Sequence, residues 1–395
     1  MRRMKSETKK ISIVQLLSLI PDEDIIKIAK RTKVDYYTKV LDGKSLLCLI
    51  LYSLIESQRN SLRTMEDIFN SSAFKFLFNL DPAKKVRYNS ISERLSIVNI
   101  DFFRKSYEVI HNQFSKYYTE EEIQNLHLIR VDSTMVSEAA NKIKRGMNIG
   151  GKKDGKKQIK YTIAYDGKYP CMSELFTERN YLSEDLTIPK VVYKYAEKNT
   201  NSIFLFDRGV SKRQVYCNLN QQSRFFVTRL KDKFRYRVIK QIEDGHNRPV
   251  GTLELISDQV IQLGIPNSNK FLEDQFRLII SINPKTQITY YCLTNLFDLK
   301  VEEILAYYKK RWDIEVFFRF LKQELNFSHI TSTSENGMMV IMYMTMIASM
   351  LVLTYKRINK VGYKTAVRRI SFELNEFIIK LIVKESGGDP SLVFR

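Results

Sequence analysis

The chain has 395 residues, with 64 Lys plus Arg against 44 Asp plus Glu, a formal charge of +20 at pH 7 and a pI near 9.5. Apolar residues make up 44%, with only 14 Gly and 8 Pro, which excludes a disordered tail, a collagenous repeat and a generic acidic cytosolic enzyme. The charge calls for a polyanionic partner. Nucleic acid comes first, although an anionic membrane attracts the same surface.

Met1 to Ile20 has a basic start and a short apolar run. Pro21-Asp22-Glu23-Asp24 follows instead of a small-residue cleavage site, so the segment reads as an amphipathic helix ending at Pro21 and not as a signal peptide. Helical text continues to about residue 120. Leu46–Ile55 and Ile68–Leu80 are apolar runs, Asp81-Pro82 is a breaker, and Asn89-Ser-Ile-Ser-Glu-Arg-Leu95 has the polar start of a capped helix. The period then changes. A short apolar run, Leu126–Val131, ends in Asp132; Tyr161–Tyr165 and Cys171–Phe176 read as strands, Ile188–Lys198 as a helix, and Ile203–Phe206 as a strand buried on both faces that ends in Asp207. Alternating strands and helices specify an α/β class. Five strand-like runs between 223 and 294 predict an antiparallel module, and helical text returns from Val301.

Between Glu335 and Lys356 lie 20 uncharged positions holding half of the 12 Met. That length could span a bilayer; Asn336, Gly337, Thr345, Ser349 and two tyrosines favour a buried central helix, so no membrane association is expected. The four cysteines (Cys48, Cys171, Cys217, Cys292) are scattered and read as reduced thiols of a cytoplasmic protein. The four histidines are equally isolated, so a zinc site is not expected.

Asp132 and Asp207 each follow an apolar strand, at the sheet end where ligands gather in open α/β folds, though a turn-forming Asp is also common there. Ser211 is placed to cap the helix after Asp207. The third element is Tyr307–Leu325, read as one helix. Ile314, Phe317, Phe318 and Leu321 form its inward stripe, and Tyr308, Arg311, Glu315 and Lys322 fall on a second face. Alone, that face reads as solvated ion pairs. Trp312, the only tryptophan, turns about 100° from Arg311; it could stack on an unpaired base, and packing in the core is favoured.

The spacing Tyr-x2-Arg-x3-Glu-x6-Lys, with Asp132 in Asp-Ser-Thr and Asp207 in Asp-Arg-Gly, resembles the insertion-sequence DDE transposases bearing the YREK signature, the insertion sequence four family. The resemblance runs from about Leu126 to Thr354, and the Asn89–Leu95 segment also looks like that family's N-terminal region. It implies an RNase H-like catalytic core interrupted by a β-rich insertion, with a helical N-terminal domain and a helical C-terminus. The expected boundaries are 1–120 for end binding, 121–222 and 301–360 for the two parts of the core, 223–300 for the insertion and 361–395 for a helical tail. It further implies Asp132, Asp207 and Glu315 as ligands for Mg²⁺, with Mn²⁺ able to substitute. Hard oxygen donors suit these ions, and a metal pair suits in-line phosphoryl transfer. Tyr308, Arg311 and Lys322 would contact DNA phosphates.

Eight basic residues between Lys142 and Lys160, interleaved with glycines, suggest a DNA-clamping loop, with Lys142, Lys144, Arg145, Lys152, Lys153, Lys156 and Lys157 as candidates beside Arg208. Arg2, Arg3, Lys5, Lys9 and Lys10 form a basic arm; Thr294-Asn295 matches a family turn or a helix cap. The implied activity is cleavage at element ends and strand transfer into target DNA. Its partners would be double-stranded DNA with terminal inverted repeats, target DNA and a second copy of the chain in the synaptic complex, near the bacterial nucleoid. The rival reading is a catalytically inactive transposase-derived DNA-binding protein or repressor.

Overall fold

The computed structural model describes residues 10–56, 60–124, 127–139, 143, 145–149, 156–392 and 394. In chain order the helices and strands are α1 (Ile13–Leu17), α2 (Asp22–Thr32), α3 (Gly43–Glu56), α4 (Leu62–Asn70), α5 (Ser72–Leu77), α6 (Tyr88–Ile97), α7 (Ile100–Ser115), α8 (Glu120–Gln124), β1 (Leu128–Ala139), β2 (Met147–Asn148), β3 (Lys156–Tyr165), β4 (Pro170–Phe176), α9 (Glu184–Ala196), β5 (Ile203–Leu205), α10 (Arg213–Gln221), β6 (Phe225–Arg229), β7 (Tyr236–Val250), β8 (Leu253–Gly264), β9 (Phe271–Ile282), β10 (Thr289–Thr294), α11 (Val301–Lys309), α12 (Trp312–Glu324), α13 (Glu335–Asn359) and α14 (Tyr363–Glu385). They form two compact units. One comprises Met1–Thr119, Val136–Gln158 and Arg319–Arg395; the other comprises Glu120–Met135 and Ile159–Phe318.

The first unit is built on α13. This helix is long and apolar enough to cross a membrane, yet 89% of its most apolar stretch is buried. It packs against α3, α6, α7 and α14. A helix apolar all round needs such a shell, which accounts for the uncharged run. Its Asn336 donates to the Leu95 and Val98 carbonyls, both at 2.9 Å, and so closes the C-terminal end of α6. The start of α6 departs from expectation: the helix begins at Tyr88, and its first N–H is received by Glu66, 2.8 Å away on α4, so Asn89 is not a cap. Likewise the helical text before Pro21 becomes only the short α1, and Pro21 opens α2.

The second unit contains the sheet β3-β1-β5-β6-β10-β9-β8-β7, with β4 paired to β3. β1, β5 and β6 are parallel, and β6 through β10, β9, β8 and β7 continue antiparallel. The strands after residue 223 therefore extend the same sheet. Because alternate side chains point to opposite faces, each central strand feeds two cores. Ile129, Val131, Phe204 and Phe206 join Ile188, Val191, Val192, Tyr216 and Leu219 of α9 and α10 on one face. Leu128, Ile203, Leu205 and Val227 join Val301 and Ile304 of α11 on the other.

Arg277 on β9 ties this second face to the approach to α11. Its guanidinium pairs with Asp258 at 2.7 Å and donates to the carbonyls of Phe297 and Leu299. Both partners are almost wholly buried, at 5% and 1% exposure. Thr294 and Asn295 serve this joint and cap no helix. Asn295 accepts the Phe226 N–H at 3.0 Å and donates to the Arg224 carbonyl at 3.1 Å, while Thr294 donates to the Phe226 carbonyl. Arg277→Leu leaves the Asp258 charge buried without a partner, so a loss of about 3–5 kcal/mol in unfolding free energy is expected in urea titrations.

Candidate active site

Register fixes the first two carboxylates. Leu128 pairs with Ile203 and Arg130 with Leu205 in parallel, and Asp132 and Asp207 each come two residues after that last pair. Asp132 is in reach of the charges of Asp207, Arg311 and Glu315. Asp132 does not follow the end of its strand as expected. β1 continues to Ala139, and Asp132 stands where it parts from β5, because β5 is only three residues long.

Asp207 is held by the loop that follows it. Its carboxylate accepts the Gly209 N–H at 2.7 Å and its carbonyl accepts the Thr228 hydroxyl at 3.1 Å. The Tyr216 hydroxyl donates to the Val210 carbonyl at 2.7 Å. Asp185 on α9 accepts the backbone N–H groups of Ser211 and Lys212 at 2.6 and 2.8 Å. Burial raises the Asp185 carboxyl, but these donors and the Ser183 and Ser211 hydroxyls outweigh it and hold the group below its ordinary value. Ser211 is thus committed to Asp185, at 3.1 Å, and α10 begins at Arg213 without a side-chain cap.

The expected single helix is two. α11 ends at Lys309 and α12 starts at Trp312. Tyr308, Arg311 and Glu315 nevertheless meet: Arg311 donates to Glu315 at 2.6 Å and its guanidinium stands 5.9 Å from the centre of the Tyr308 ring. Ile314, Phe317, Phe318 and Leu321 are buried, and Phe317 stacks on Tyr165 with centroids 4.6 Å apart. Trp312 is 52% exposed, against the core position favoured for it. Lys322 is half-buried in the last turn of α12, within the first unit.

Sequence reading missed a fourth carboxylate. Glu184, the first residue of α9, hydrogen-bonds Asp207 and shares the electrostatic field of Asp132 and Lys160. Gly209 makes room for it: a Cβ there would collide with the Glu184 carboxylate and stand 2.8 Å from Asp207 Oδ1. Lys160, counted above among the basic loop residues, turns inward instead. It is 3% exposed and donates to the Leu182 carbonyl at 2.6 Å. The only sequence signal for Glu184 was Ser183-Glu184-Asp185, which reads as an ordinary cap and acidic first turn.

Negative charge is in excess here. Asp132 is raised to about 7, first by burial and then by Asp207 and Glu315, against the Ser133 N–H and Arg311. Glu184 is also raised to about 7, by burial, Asp207 and Asp132, with Lys160 opposing. Four carboxylates and no soft donor suit a hard divalent cation, whose charge would relieve this repulsion.

The basic candidates are less gathered. Arg208 is exposed beside Asp207. Arg145 is exposed and paired with Glu335 at 2.8 Å; Lys156 is exposed, and Lys157 is half-buried and donates to the Ile143 carbonyl at 3.3 Å. Lys142, Lys144, Lys152, Lys153 and the arm residues Arg2, Arg3, Lys5 and Lys9 lie outside the described residues.

The model of the transposase DDE domain matches residues 126–351, more than half of the chain and the whole interval from Asp132 through Glu315. The chain belongs to the DDE transposase family. Over 312 residues, 78% of this chain and 78% of its relative, it is 24% identical to the probable transposase for insertion sequence element IS5377 of Geobacillus stearothermophilus. Over 166 residues, 41% of this chain and 45% of its relative, it is 26% identical to the putative transposase y4zB of Sinorhizobium fredii. A solved piggyBac transposase synaptic complex with hairpin DNA shares 12% identity at a TM-score of 0.48, over 95% of this chain and 83% of that one. The protein is thus a DNA transposase, of a family that uses divalent metal ions.

Asp132 and Glu184 have folded-state values of about 7 against ordinary values of 3.8 and 4.5. A raised carboxyl favours folding below its unfolded value, and that contribution is lost as pH rises through the folded one. In a chelator, the transposase should therefore melt at a higher temperature at about pH 5.5 than at about pH 8. Asp132→Asn should flatten the difference, and Mg²⁺ at the higher pH should reverse it. Gly209→Ala should displace Glu184 and abolish the stabilisation by Mg²⁺ in the same melting experiment.

Proposed function

We propose that this transposase cuts the ends of an insertion element and joins the freed 3′ ends to target DNA, with Mg²⁺ held by Asp132, Asp207 and Glu315. The observation that carries the reading is that Asp132, in reach of the Asp207 and Glu315 charges, is lifted to about 7 by burial first and by these two carboxylates after it. A protein that only held DNA would gain nothing from acidic side chains packed together near a phosphate backbone. This speaks for the enzyme over the silent repressor.

Bound divalent cations supply Lewis acidity at the scissile phosphate and at the oxygen that attacks it. The chain's own residues do the rest. The Gly209 and Ser133 N–H groups orient the two aspartates through bonds of 2.7 Å each. Arg311, half-buried and already paired with Glu315, is placed to receive a phosphate when the carboxylate turns to a cation, and its planar fork suits two phosphate oxygens. Tyr308 holds the guanidinium from one side. Trp312 presents its ring to solvent at the start of the same helix, where it can stack on an unpaired base. Lys322, Arg208, Arg145, Lys156 and Lys157, with Lys142, Lys144, Lys152 and Lys153, serve the DNA backbone as point charges.

Within this reading the core is RNase H-like and belongs to the YREK-bearing insertion sequence four family. Residues 1–120 bind the inverted-repeat ends, 223–300 shape the cleaved end, and two copies act together on two ends. Asp132→Asn and Glu315→Gln should each lower Mg²⁺-dependent cleavage of a duplex carrying the element's ends by at least about a thousandfold, a barrier increase of roughly 4 kcal/mol, while gel-shift binding of the same duplex holds. Cleavage at the wild-type rate by Asp132→Asn would refute the assignment.

A further inference from the structure

One heavily bonded cation of the second unit is not on the signature. Arg130 lies on β1, is only 4% exposed and spends its whole fork on two sets of partners. Nη1 donates to the Leu128 carbonyl at 2.6 Å and the Asp166 carbonyl at 2.8 Å. Nε donates to the Lys310 carbonyl at 3.0 Å and Nη2 to the Asp313 carboxylate at 2.8 Å. The turn after β3 is moulded to it: Gly167 has φ +98°, and a Cβ there would stand 2.9 Å from Nη1.

Two features make this more than the satisfaction of a buried charge. Arg130 and Asp132 are two residues apart on one strand, so they share a face. Lys310 and Asp313 bracket the break between α11 and α12, and Glu315 stands two residues beyond. A continuous helix would bind the Lys310 carbonyl internally. At the break it still accepts the Asp313 N–H, at 3.1 Å, and Arg130 adds a second donor while holding the first-turn carboxylate of α12. One guanidinium therefore ties the strand that carries Asp132 to the helix that carries Glu315.

We propose that Arg130 and Asp313 form a positioning clamp that sets the height of Glu315 against Asp132, and thereby the metal affinity of the site. The clamp touches neither DNA nor cation and acts through Glu315. The inference rests on the reading of Asp132 and Glu315 as metal ligands. Residues that orient ligands in this way typically change metal affinity by 10- to 100-fold when removed.

The test uses the full chain. Asp313 is half-exposed, with a side-chain exposure of 47%, so Asp313→Ala and Asp313→Asn should fold. Mn²⁺ binding is measured by calorimetry without DNA, the melting temperature in chelator, and single-turnover end cleavage across a Mn²⁺ titration. The expected result is a Mn²⁺ dissociation constant raised about tenfold or more in both variants. Cleavage should fall at low Mn²⁺ and recover at high Mn²⁺, with end-duplex binding unchanged. Arg130→Lys, which keeps a charge for Asp313 but loses the fork, should fall between wild type and Asp313→Ala. A merely structural pair would lower the melting temperature and leave the Mn²⁺ constant alone, and that outcome overturns the clamp. Asp132→Asn separates the two readings. If it fails to cleave while Asp313→Ala matches wild type, the clamp alone is refuted; if it cleaves normally, the metal-site reading falls and the clamp with it.

Discussion

The site depends on crowding like charges where water cannot screen them. Asp132 feels Asp207 and Glu315, Glu184 feels Asp207 and Asp132, and burial first and this repulsion second push Asp132 and Glu184 to about 7. Such an arrangement is unfavourable in the metal-free chain and persists only if the surrounding fold over-determines it. Much of the second unit can be understood as the means of doing so. The loop after Asp207 is pinned by Asp185, Thr228 and Tyr216, and Lys160 is buried behind the cluster. Arg311 pairs with Glu315.

In the proposed reading, a few acidic residues set this basic protein apart as one that cuts DNA. The +20 charge is distributed and suits DNA of any sequence. Parallel pairing holds β1 and β5 side by side as far as Arg130 and Leu205, and Asp132 and Asp207 each lie two residues further on. Glu315 arrives by a different route, on a helix whose start is separated from the preceding one.

Several elements show where sequence logic stopped. The strand text before Asp132 and Asp207 was legible because unbroken apolar runs mark strands buried on both faces. The extent of β1 was not, since residues after Asp132 are polar and their pairing is decided by a neighbouring strand. The run 307–325 carried good helical periodicity throughout, and its break has no proline or glycine to announce it; the break is held by Arg130, which is 180 residues distant in the chain. Trp312 followed the same error. Ser211 and Asn295 looked like caps because their residue type favours caps, but each found a buried partner from another segment first.

The sequence by itself determined the class of chemistry. Two aspartates after apolar runs and a Tyr-Arg-Glu-Lys spacing are the local patterns on which the proposed chemistry rests. It also determined that the uncharged stretch in α13 would need burial. Only the tertiary structure decided which acids act together. Glu184 joins the cluster because Gly209 lacks a side chain at the point of approach. Lys160 leaves the basic loop for the interior, and Arg130 couples a strand to a helix. These are contacts between residues far apart in the chain, set by sheet order and helix packing, and no local period encodes them.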